Sequence, residues 1–284
     1  MSDTAAPPAP IGIIAGGGSV PFAVAETVEA NGGRAILFAL RGFCDKERVK
    51  AFRHHWIALG QLGRFLKLAR SEGCHDLVFI GTLVRPAISE LRLDWETIRV
   101  IPRVVAAFRG GDDHLLTGVG RIFEQHGFRL IGASDVAPQL LMPDGRLTAA
   151  APDAIASSDM AKGRALLDAI GPFDVGQAVV VIDGHVVAME DIEGTDALLA
   201  RVARLRSEGR IRAPKGKGVL VKLPKPAQDR RFDMPTLGPR TIEGVVAAGL
   251  AGIAVAAGGT LLADAQEMVR LADKAGLFIT GWTA

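Results

Sequence analysis

The sequence predicts an α/β protein of two domains: an N-terminal Rossmann-like parallel sheet and a C-terminal α/β domain with a mixed sheet. Its 284 residues exceed the size of an ordinary single domain. The first half alternates short, almost continuously apolar runs with segments of helical spacing, which is typical of a parallel sheet covered by helices. In the second half an Asp-Gly pair separates two apolar runs and predicts a β-hairpin.

The first domain is assigned to residues 1–139. Buried strands are predicted in IGIIAGGG, RAILFAL, DLVFIGTL and RLIGASD. Helices are predicted in SVPFAVAETVEANGG, LGRFLKLARSEGC and DDHLLTGVGRIFEQHGF, and the last of these opens with acids in its first turn. The strand–helix alternation therefore runs to about residue 135, as expected for a Rossmann-like unit.

A linker is predicted at residues 140–154, where LLMPDGRLTAAAPDA contains Pro and Asp-Gly. The second domain is assigned to residues 155–284. Its first helix is expected to have Ser158 or Asp159 as its cap, and the hairpin turn is expected at Asp183-Gly184. Residues 245–263 are strongly apolar, yet their four glycines favour a buried helix, a turn and a strand over a membrane span.

Composition narrows the class of protein. Hydrophobic residues make up 49% and charged residues 23%, which excludes a disordered chain. A net charge of +2 and the absence of tyrosine argue against a nucleic-acid-binding surface. Cys44 and Cys74 fit no metal or disulfide pattern and are expected to be buried thiols, and the N-terminus lacks a secretory pattern. We therefore expect a cytoplasmic protein whose contact with a membrane, if any, is peripheral.

A glycine turn follows the first predicted strand. Gly16, Gly17 and Gly18 would let a phosphate approach the backbone at a helix N-terminus, and a tight strand-to-helix turn without a ligand is the alternative. The dinucleotide pattern needs a further glycine where Pro21 stands and an acid after the second strand, where Arg41 stands. A nicotinamide-dependent oxidoreductase is thus a disfavoured alternative. The histidines show no metal-ligand spacing, and neither a P-loop nor a GxSxG elbow is present.

The charged loop between Lys222 and Thr241 is the sharpest functional signal. Asp229 and Asp233 lie four residues apart among basic residues, after a strand that would end at the ligand-binding edge of a sheet. Carboxylates bind Mg²⁺ or Mn²⁺, and Lys and Arg neutralise phosphoryl oxygens. The basic residues are Lys222, Lys225, Arg230, Arg231 and Arg240. A solvated loop, whose ion pairs contribute at most ~1 kcal/mol each, is the alternative.

Several motifs occur in one order along the chain: IGIIAGGGSVP, GTLVRP, DDHLL, EGTD and KPAQDRRFDMPTLGPRTIEG. Together they resemble the UDP-2,3-diacylglucosamine pyrophosphatase family of lipid A biosynthesis, the metal-dependent type unrelated to calcineurin-like phosphoesterases. The most specific part has the form QDxRxDxP. It comprises Gln228, Asp229, Arg231, Asp233 and Pro235.

The resemblance implies hydrolysis of UDP-2,3-diacylglucosamine to UMP and 2,3-diacylglucosamine 1-phosphate (lipid X). It also implies a Mg²⁺ or similar ion as cofactor, water attack on the β-phosphorus, two α/β domains with the lipid product held between them, and a homodimer. The aspartate of the family's QD pair is thought essential to catalysis and matches Asp229. A nucleotide- or lipid-binding protein without catalysis stays open as an alternative.

Roles follow as hypotheses from this resemblance and from the charges. Asp229 would bind the metal or orient water, with Asp233 as a weaker partner in both roles. Substrate binding is assigned to Gly16, Gly17, Gly18, Thr195, Asp196, Lys222, Gln228 and Arg231. Asp196 could equally be a helix cap. Four arginines of the first domain could face anionic lipid headgroups, and a solvated helix face is the alternative. They are Arg85, Arg99, Arg103 and Arg109.

Overall fold

The structure is a computed structural model that describes residues 8–83, 91–108, 112–173, 175–225, 229–232 and 234–283, without the side chains of 103–116. The chain forms two compact units. Unit 1 comprises Met1–Gln139 and Asp229–Asp233, and unit 2 comprises Leu140–Gln228 and Met234–Ala284. The chain therefore passes from one unit to the other three times, after residues 139, 228 and 233. Each unit has its own sheet, and the α/β class is confirmed.

Unit 1 contains a parallel sheet in the order β3-β2-β1-β4-β5. Its strands are β1 (Ile11–Ala15), β2 (Ala35–Leu40), β3 (His54–Ile57), β4 (Asp76–Ile80) and β5 (Arg129–Leu130). From β1 the chain adds β2 and β3 on one side and then β4 and β5 on the other, so the strand order switches sides between β1 and β4. In doubly wound folds, ligands bind at the carboxyl ends of the strands beside such a switch. The Rossmann-like prediction is confirmed. The β3 strand was not predicted because its sequence, HHWI, is not an apolar run.

The helices of unit 1 are α1 (Val20–Ala30), α2 (Leu62–Glu72), α3 (Trp95–Phe108), α4 (Asp112–Gln125) and α5 (Ala133–Val136). The α2 helix buries Phe65, Leu66 and Ala69 on one face, because Ala69 lies four residues after Phe65 and three after Leu66. Gly73 ends it with φ +76°, in the left-handed region that glycine adopts without steric cost. The α3 helix is an addition to the predicted elements.

Unit 2 contains a mixed sheet in the order β6-β13-β11-β9-β7-β8. Its strands are β6 (Gly145–Arg146), β7 (Ala178–Ile182), β8 (His185–Met189), β9 (Val219–Lys222), β11 (Gly252–Ala256) and β13 (Phe278–Trp282). The three strands β9, β11 and β13 are parallel, and the others pair antiparallel. A separate pair joins β10 (Thr236–Leu237) to β12 (Leu261–Leu262). Residues 140–154, the predicted linker stretch, lie in unit 2 and contribute β6.

The helices of unit 2 are α6 (Ala154–Ile170), α7 (Gly194–Ser207), α8 (Pro239–Ala248) and α9 (Ala265–Ala275). The α8 helix and β11 confirm the prediction for residues 245–263. Across the described part of the chain, no helix has both the length and the apolar character needed to cross a membrane. Cys44 and Cys74 are buried and unpaired as predicted, and burial raises the pKa of the Cys74 thiol to about 11.

The predicted cap of α6 is wrong. The helix begins at Ala154, and Asp153 caps it by accepting a hydrogen bond of 2.7 Å from the Ala156 N–H. Asp159 lies inside the helix, fully buried, and its carboxylate accepts the N–H groups of Asp183 and Gly184 at 3.0 and 2.6 Å. It therefore ties α6 to the hairpin turn, a long-range contact that local capping rules do not reveal.

We expect Asp159→Asn to lower the free energy of unfolding by about 1–3 kcal/mol, because an amide offers one acceptor oxygen to two N–H groups. Chemical denaturation would measure the loss. Asp168→Asn is the matched control: Asp168 lies on the same helix with a side chain 62% exposed. Equal losses in the two variants would contradict the assigned contact.

Candidate active site

The glycine turn packs against the loop that leaves β4. Gly16 N–H donates to the Ile80 carbonyl at 2.9 Å, and Gly17 and Thr82 exchange N–H···O bonds of 2.8 and 2.9 Å. A Cβ at Gly16 would lie 2.7 Å from the Thr82 carbonyl oxygen, so the close approach of these loops requires glycine. The turn thus lies at the reversal of strand order.

Only part of this turn can contact an anion. The N–H groups of Gly16 and Gly17 are bonded to backbone carbonyls. Gly18 has φ +89° and open space around the position of a Cβ, and within the described residues its N–H and that of Ser19 donate to no backbone carbonyl. An anion at the start of α1 would therefore meet Gly18 and Ser19 rather than the two preceding glycines.

The QD loop segment, residues 229–232, belongs to unit 1 and contains a bidentate ion pair. Arg231 donates from Nη2 to Asp229 Oδ2 at 2.8 Å and from Nε to both carboxylate oxygens at 3.1 and 3.2 Å. The Arg231 backbone N–H also donates to Asp229 Oδ1 at 3.1 Å. On its other side the guanidinium donates from Nη1 to Glu124 Oε1 at 3.1 Å. Asp229 is therefore held in one orientation by a neighbour two residues away.

This pair fixes the charge of Asp229. Hydrogen bonds from the Arg231 guanidinium hold the pKa of Asp229 below its ordinary value, and Asp229 in turn raises the pKa of Arg231. Because the pKa is lowered on folding, the pair stabilises the fold above the unfolded pKa of aspartate and loses this effect as the pH falls through the folded pKa. At neutral pH Asp229 is a carboxylate with a side chain 26% exposed.

Phe232 fastens the QD loop segment to unit 1. Its ring is 9% exposed and packs in a cluster with Phe123, Phe128 and Leu130, and it meets Phe79 edge-on at 5.4 Å between centroids. A Cβ at Gly120 on α4 would overlap the Phe232 ring, so this glycine provides the space for it. A short piece of the C-terminal half of the sequence is thus part of the core of unit 1.

In unit 2 the predicted residues Lys222 and Thr195 lie in contact. Lys222, at the carboxyl end of β9, is 6% exposed and donates from Nζ to Thr195 Oγ1 at 2.9 Å and to the Thr236 carbonyl at 3.3 Å. Thr195, in the first turn of α7, donates to Glu190 Oε1 at 2.8 Å. Glu190, itself 6% exposed, was not predicted as a site residue. These three side chains form the Lys222 relay.

The other predicted residue of α7 is placed differently. Asp196 pairs with Arg240 in the first turn of α8 at 3.0 Å, and the two side chains are 53% and 83% exposed. Such an exposed pair contributes about 0–1 kcal/mol. Asp196 does not cap α7, because that position is held by Glu193.

The structure thus assembles the predicted residues into two groups. Unit 1 holds Gly16, Gly17, Gly18, Asp229 and Arg231, and unit 2 holds Thr195, Asp196 and Lys222. Gln228 and Asp233 lie outside the described residues. Two carboxylates were not predicted from the sequence. Glu124 contacts Arg231, which lies 107 residues later in the chain, and Glu190 contacts Thr195, five residues later. Glu190 carried a signal, since it lies in the acidic stretch MEDIEGTD.

Of the two carboxylates predicted to bind metal, Asp229 lies in the described part of the chain. Within the described residues no three His, Cys, Asp or Glu side chains are grouped as metal ligands. Asp229 suits a hard cation in charge and partial exposure, and among the residues that the structure describes its Oδ2 accepts from the Arg231 side chain alone. Metal binding by Asp229 therefore stays a prediction, and the charge and exposure of this side chain suit it.

Comparison with known proteins covers nearly the whole chain. Residues 10–140 match the model of the LpxI N-terminal domain, and residues 143–280 match that of the LpxI C-terminal domain. The chain is 40% identical over 271 residues to the UDP-2,3-diacylglucosamine pyrophosphatase LpxI of Caulobacter vibrioides, covering 95% of this chain and 96% of that protein.

The chain belongs to the LpxI family. The resemblance inferred from the motifs is confirmed. The two LpxI domain models meet between residues 140 and 143, close to the first passage of the chain between its units. Within the LpxI C-terminal match, the QD loop segment is the piece that leaves unit 2 and packs in unit 1.

We expect Phe232→Ala to release the QD loop segment and lower the free energy of unfolding by about 3–5 kcal/mol, as for other buried phenylalanines. Trypsin should then cut faster after Arg230 and Arg231, and mass spectrometry would identify the fragments. Phe173→Ala is the control, because Phe173 is 76% exposed in unit 2. Unchanged cleavage in Phe232→Ala would show that the ring does not anchor the segment.

Proposed function

We propose that this chain hydrolyses the pyrophosphate of UDP-2,3-diacylglucosamine to UMP and 2,3-diacylglucosamine 1-phosphate. The observation that carries the proposal is the 40% identity to the Caulobacter vibrioides enzyme over almost the full length of both chains. The geometry supports it: an ionised aspartate stands in the QD motif, and buried and exposed cations stand near helix N-termini, which suits a polyphosphate.

We assign the central role to Asp229. Its carboxylate is ionised at neutral pH and held in one orientation by Arg231, so it can ligate a divalent ion or accept a hydrogen bond from the attacking water. Asp233 is its proposed partner as a metal ligand. A bound Mg²⁺ or Mn²⁺ would supply a Lewis acid that polarises a phosphoryl oxygen and acidifies water.

The cations are assigned to the phosphoryl oxygens. Arg231 has five N–H donors, three of which are used by Asp229 and Glu124, so two have no acceptor among the described residues. Lys222 stands at the carboxyl end of β9, and α8 begins three residues after its second acceptor, Thr236. Gly18 and Ser19 are proposed to contact the nucleotide through their N–H groups. The homodimer stays a prediction.

We expect Asp229→Ala to lower kcat for UMP release from UDP-2,3-diacylglucosamine by about 10²–10⁴-fold, the contribution typical of a group that manages a proton or water. EDTA should abolish turnover of the unaltered protein, and Mg²⁺ or Mn²⁺ should restore it.

The matched control is Asp76→Asn. Asp76 also lies in unit 1, is 24% exposed, and accepts two N–H groups of Arg129 at 2.6 Å each. It is the first residue of β4 and so lies at the amino end of the parallel strands, whereas the glycine turn follows the carboxyl end of β1. Activity that survives in Asp229→Ala, or falls equally in both variants, would reject the role of Asp229. Binding of the substrate without turnover by the unaltered protein would favour a binding protein instead.

We also propose that unit 1 contacts the membrane surface that carries this lipid. Four of its large apolar side chains are exposed within 16 residues: Leu83 at 46%, Leu93 at 42%, Trp95 at 65% and Ile98 at 45%. The guanidinium of Arg99 lies 5.4 Å from the Trp95 ring centroid. An exposed Trp and aliphatic residues beside arginine suit the interface of an anionic bilayer.

The segment that carries Leu93, Trp95 and Ile98 is held in place by the loop after β3. Arg92 N–H donates to the Leu59 carbonyl at 2.9 Å, and Asp94 N–H donates to the Gly60 carbonyl at 3.0 Å. Thr97 Oγ1 donates to the same Gly60 carbonyl at 2.5 Å. Because these hydrogen bonds fix the chain on both sides of Trp95, the exposed indole is presented by an ordered backbone, which lowers the ordering cost of binding.

We expect Trp95 fluorescence to be quenched by vesicles of anionic brominated lipid and not by neutral ones. Trp95→Phe should remove most of the quenching, because the other two tryptophans, Trp56 and Trp282, are less exposed. Trp95→Ala should weaken vesicle binding about tenfold, equivalent to about 1.5 kcal/mol of apolar burial. Unchanged binding in Trp95→Ala, or a change of oligomeric state instead, would contradict the membrane contact.

A further inference from the structure

We infer that Glu190 is a positioning residue for Lys222 and acts on it through the hydroxyl of Thr195. The inference rests on the proposed function, in which Lys222 holds a phosphoryl oxygen of the substrate. It adds a residue that neither the motifs nor the resemblance singled out.

Both oxygens of the Glu190 carboxylate are engaged. Oε1 accepts the Thr195 hydroxyl at 2.8 Å, and Oε2 accepts the Gln177 backbone N–H at 3.1 Å. The Glu190 N–H donates to the Ala178 carbonyl at 2.8 Å, which fixes the backbone where β8 leaves the sheet. With a residue exposure of 6%, this is a buried acceptor held at three points.

The hydrogen bonds of the Lys222 relay have one direction. A threonine hydroxyl has a single proton, and Thr195 donates it to Glu190. Its oxygen can therefore only accept from Lys222 Nζ, 2.9 Å away. Without the carboxylate, no acceptor at Glu190 would hold the hydroxyl in the rotation that directs its oxygen at Lys222, and the ammonium would lose the negative charge behind that hydroxyl.

The charge of Glu190 also favours a cation at this position. Thr195 lies in the first turn of α7, where the positive end of the helix dipole disfavours an ammonium. Lys222 and Glu190 are each 6% exposed, so the carboxylate, one hydroxyl away, opposes this effect with little screening by solvent. Glu190 thus orients the Lys222 ammonium and stabilises its charge at the carboxyl end of β9.

The test is a set of double-mutant cycles read by turnover of UDP-2,3-diacylglucosamine and by calorimetric binding of UDP. In Glu190→Gln, an NH2 group replaces one of the two acceptor oxygens and so faces either the Thr195 hydroxyl or the Gln177 N–H, and the negative charge is lost. We therefore expect kcat/KM and the affinity for UDP to fall about tenfold or more. Thr195→Val should match this loss, and Thr195→Ser, which keeps the hydroxyl, should retain function. In a Lys222→Met background, Glu190→Gln should add little, because its effect is exerted through Lys222.

Glu193→Gln is the control, since Glu193 lies in the same acidic stretch but pairs with Arg201 at 2.5 Å. Thermal melting of every variant separates folding from function. Additive losses from Glu190→Gln and Lys222→Met, or full function in Glu190→Gln, would overturn the inference. UDP binding that follows the expected cycle without any turnover would reject the proposed hydrolysis and leave the role of Glu190 standing.

Discussion

The burial of Phe232 is the contact on which the rest of the candidate site depends. The Phe232 ring ends a series of aromatic contacts that runs from Phe38 and Phe65 through Phe123 and Phe79, with centroid separations of 4.7–5.4 Å. The neighbouring ion pair of Asp229 and Arg231 is partly exposed and contributes little to anchoring. Hydrophobic burial therefore sets where Asp229 is, and the arginine sets which way it points.

The charged side chains of the two groups of site residues, Asp229 and Lys222, are stabilised in different ways. In unit 1 the carboxylate of Asp229 keeps partial contact with solvent, and a bidentate arginine lowers its pKa. In unit 2 Lys222 is buried, and a buried charge is tolerated only with partners that satisfy it. Thr195 and Glu190 supply partners there, and both arrangements present fixed charge of the kind that phosphoryl chemistry uses.

The sequence was most informative where local patterns decide the structure. Apolar runs located most of the strands, and Asp183-Gly184 located the hairpin, whose two residues have φ of +48° and +75°. The short strand β3 was missed because HHWI gains its place by pairing with β2 rather than by its own apolar pattern. Asp159, Glu124 and Glu190 were misjudged or missed because their partners are distant in sequence or face them only after folding. Phe232 was visible as the single aromatic residue in a charged loop, but only the fold shows which core receives it.

Turnover in ¹⁸O-labelled water tests the central claim most directly. The protein would be incubated with UDP-2,3-diacylglucosamine and Mg²⁺ or Mn²⁺, and the masses of the products would be measured by mass spectrometry. Hydrolysis with attack on the β-phosphorus predicts UMP without label and 2,3-diacylglucosamine 1-phosphate carrying one ¹⁸O, formed only when the metal is present. Tight binding of the substrate with no products under any divalent ion would contradict the claim that this LpxI-family chain is a pyrophosphatase.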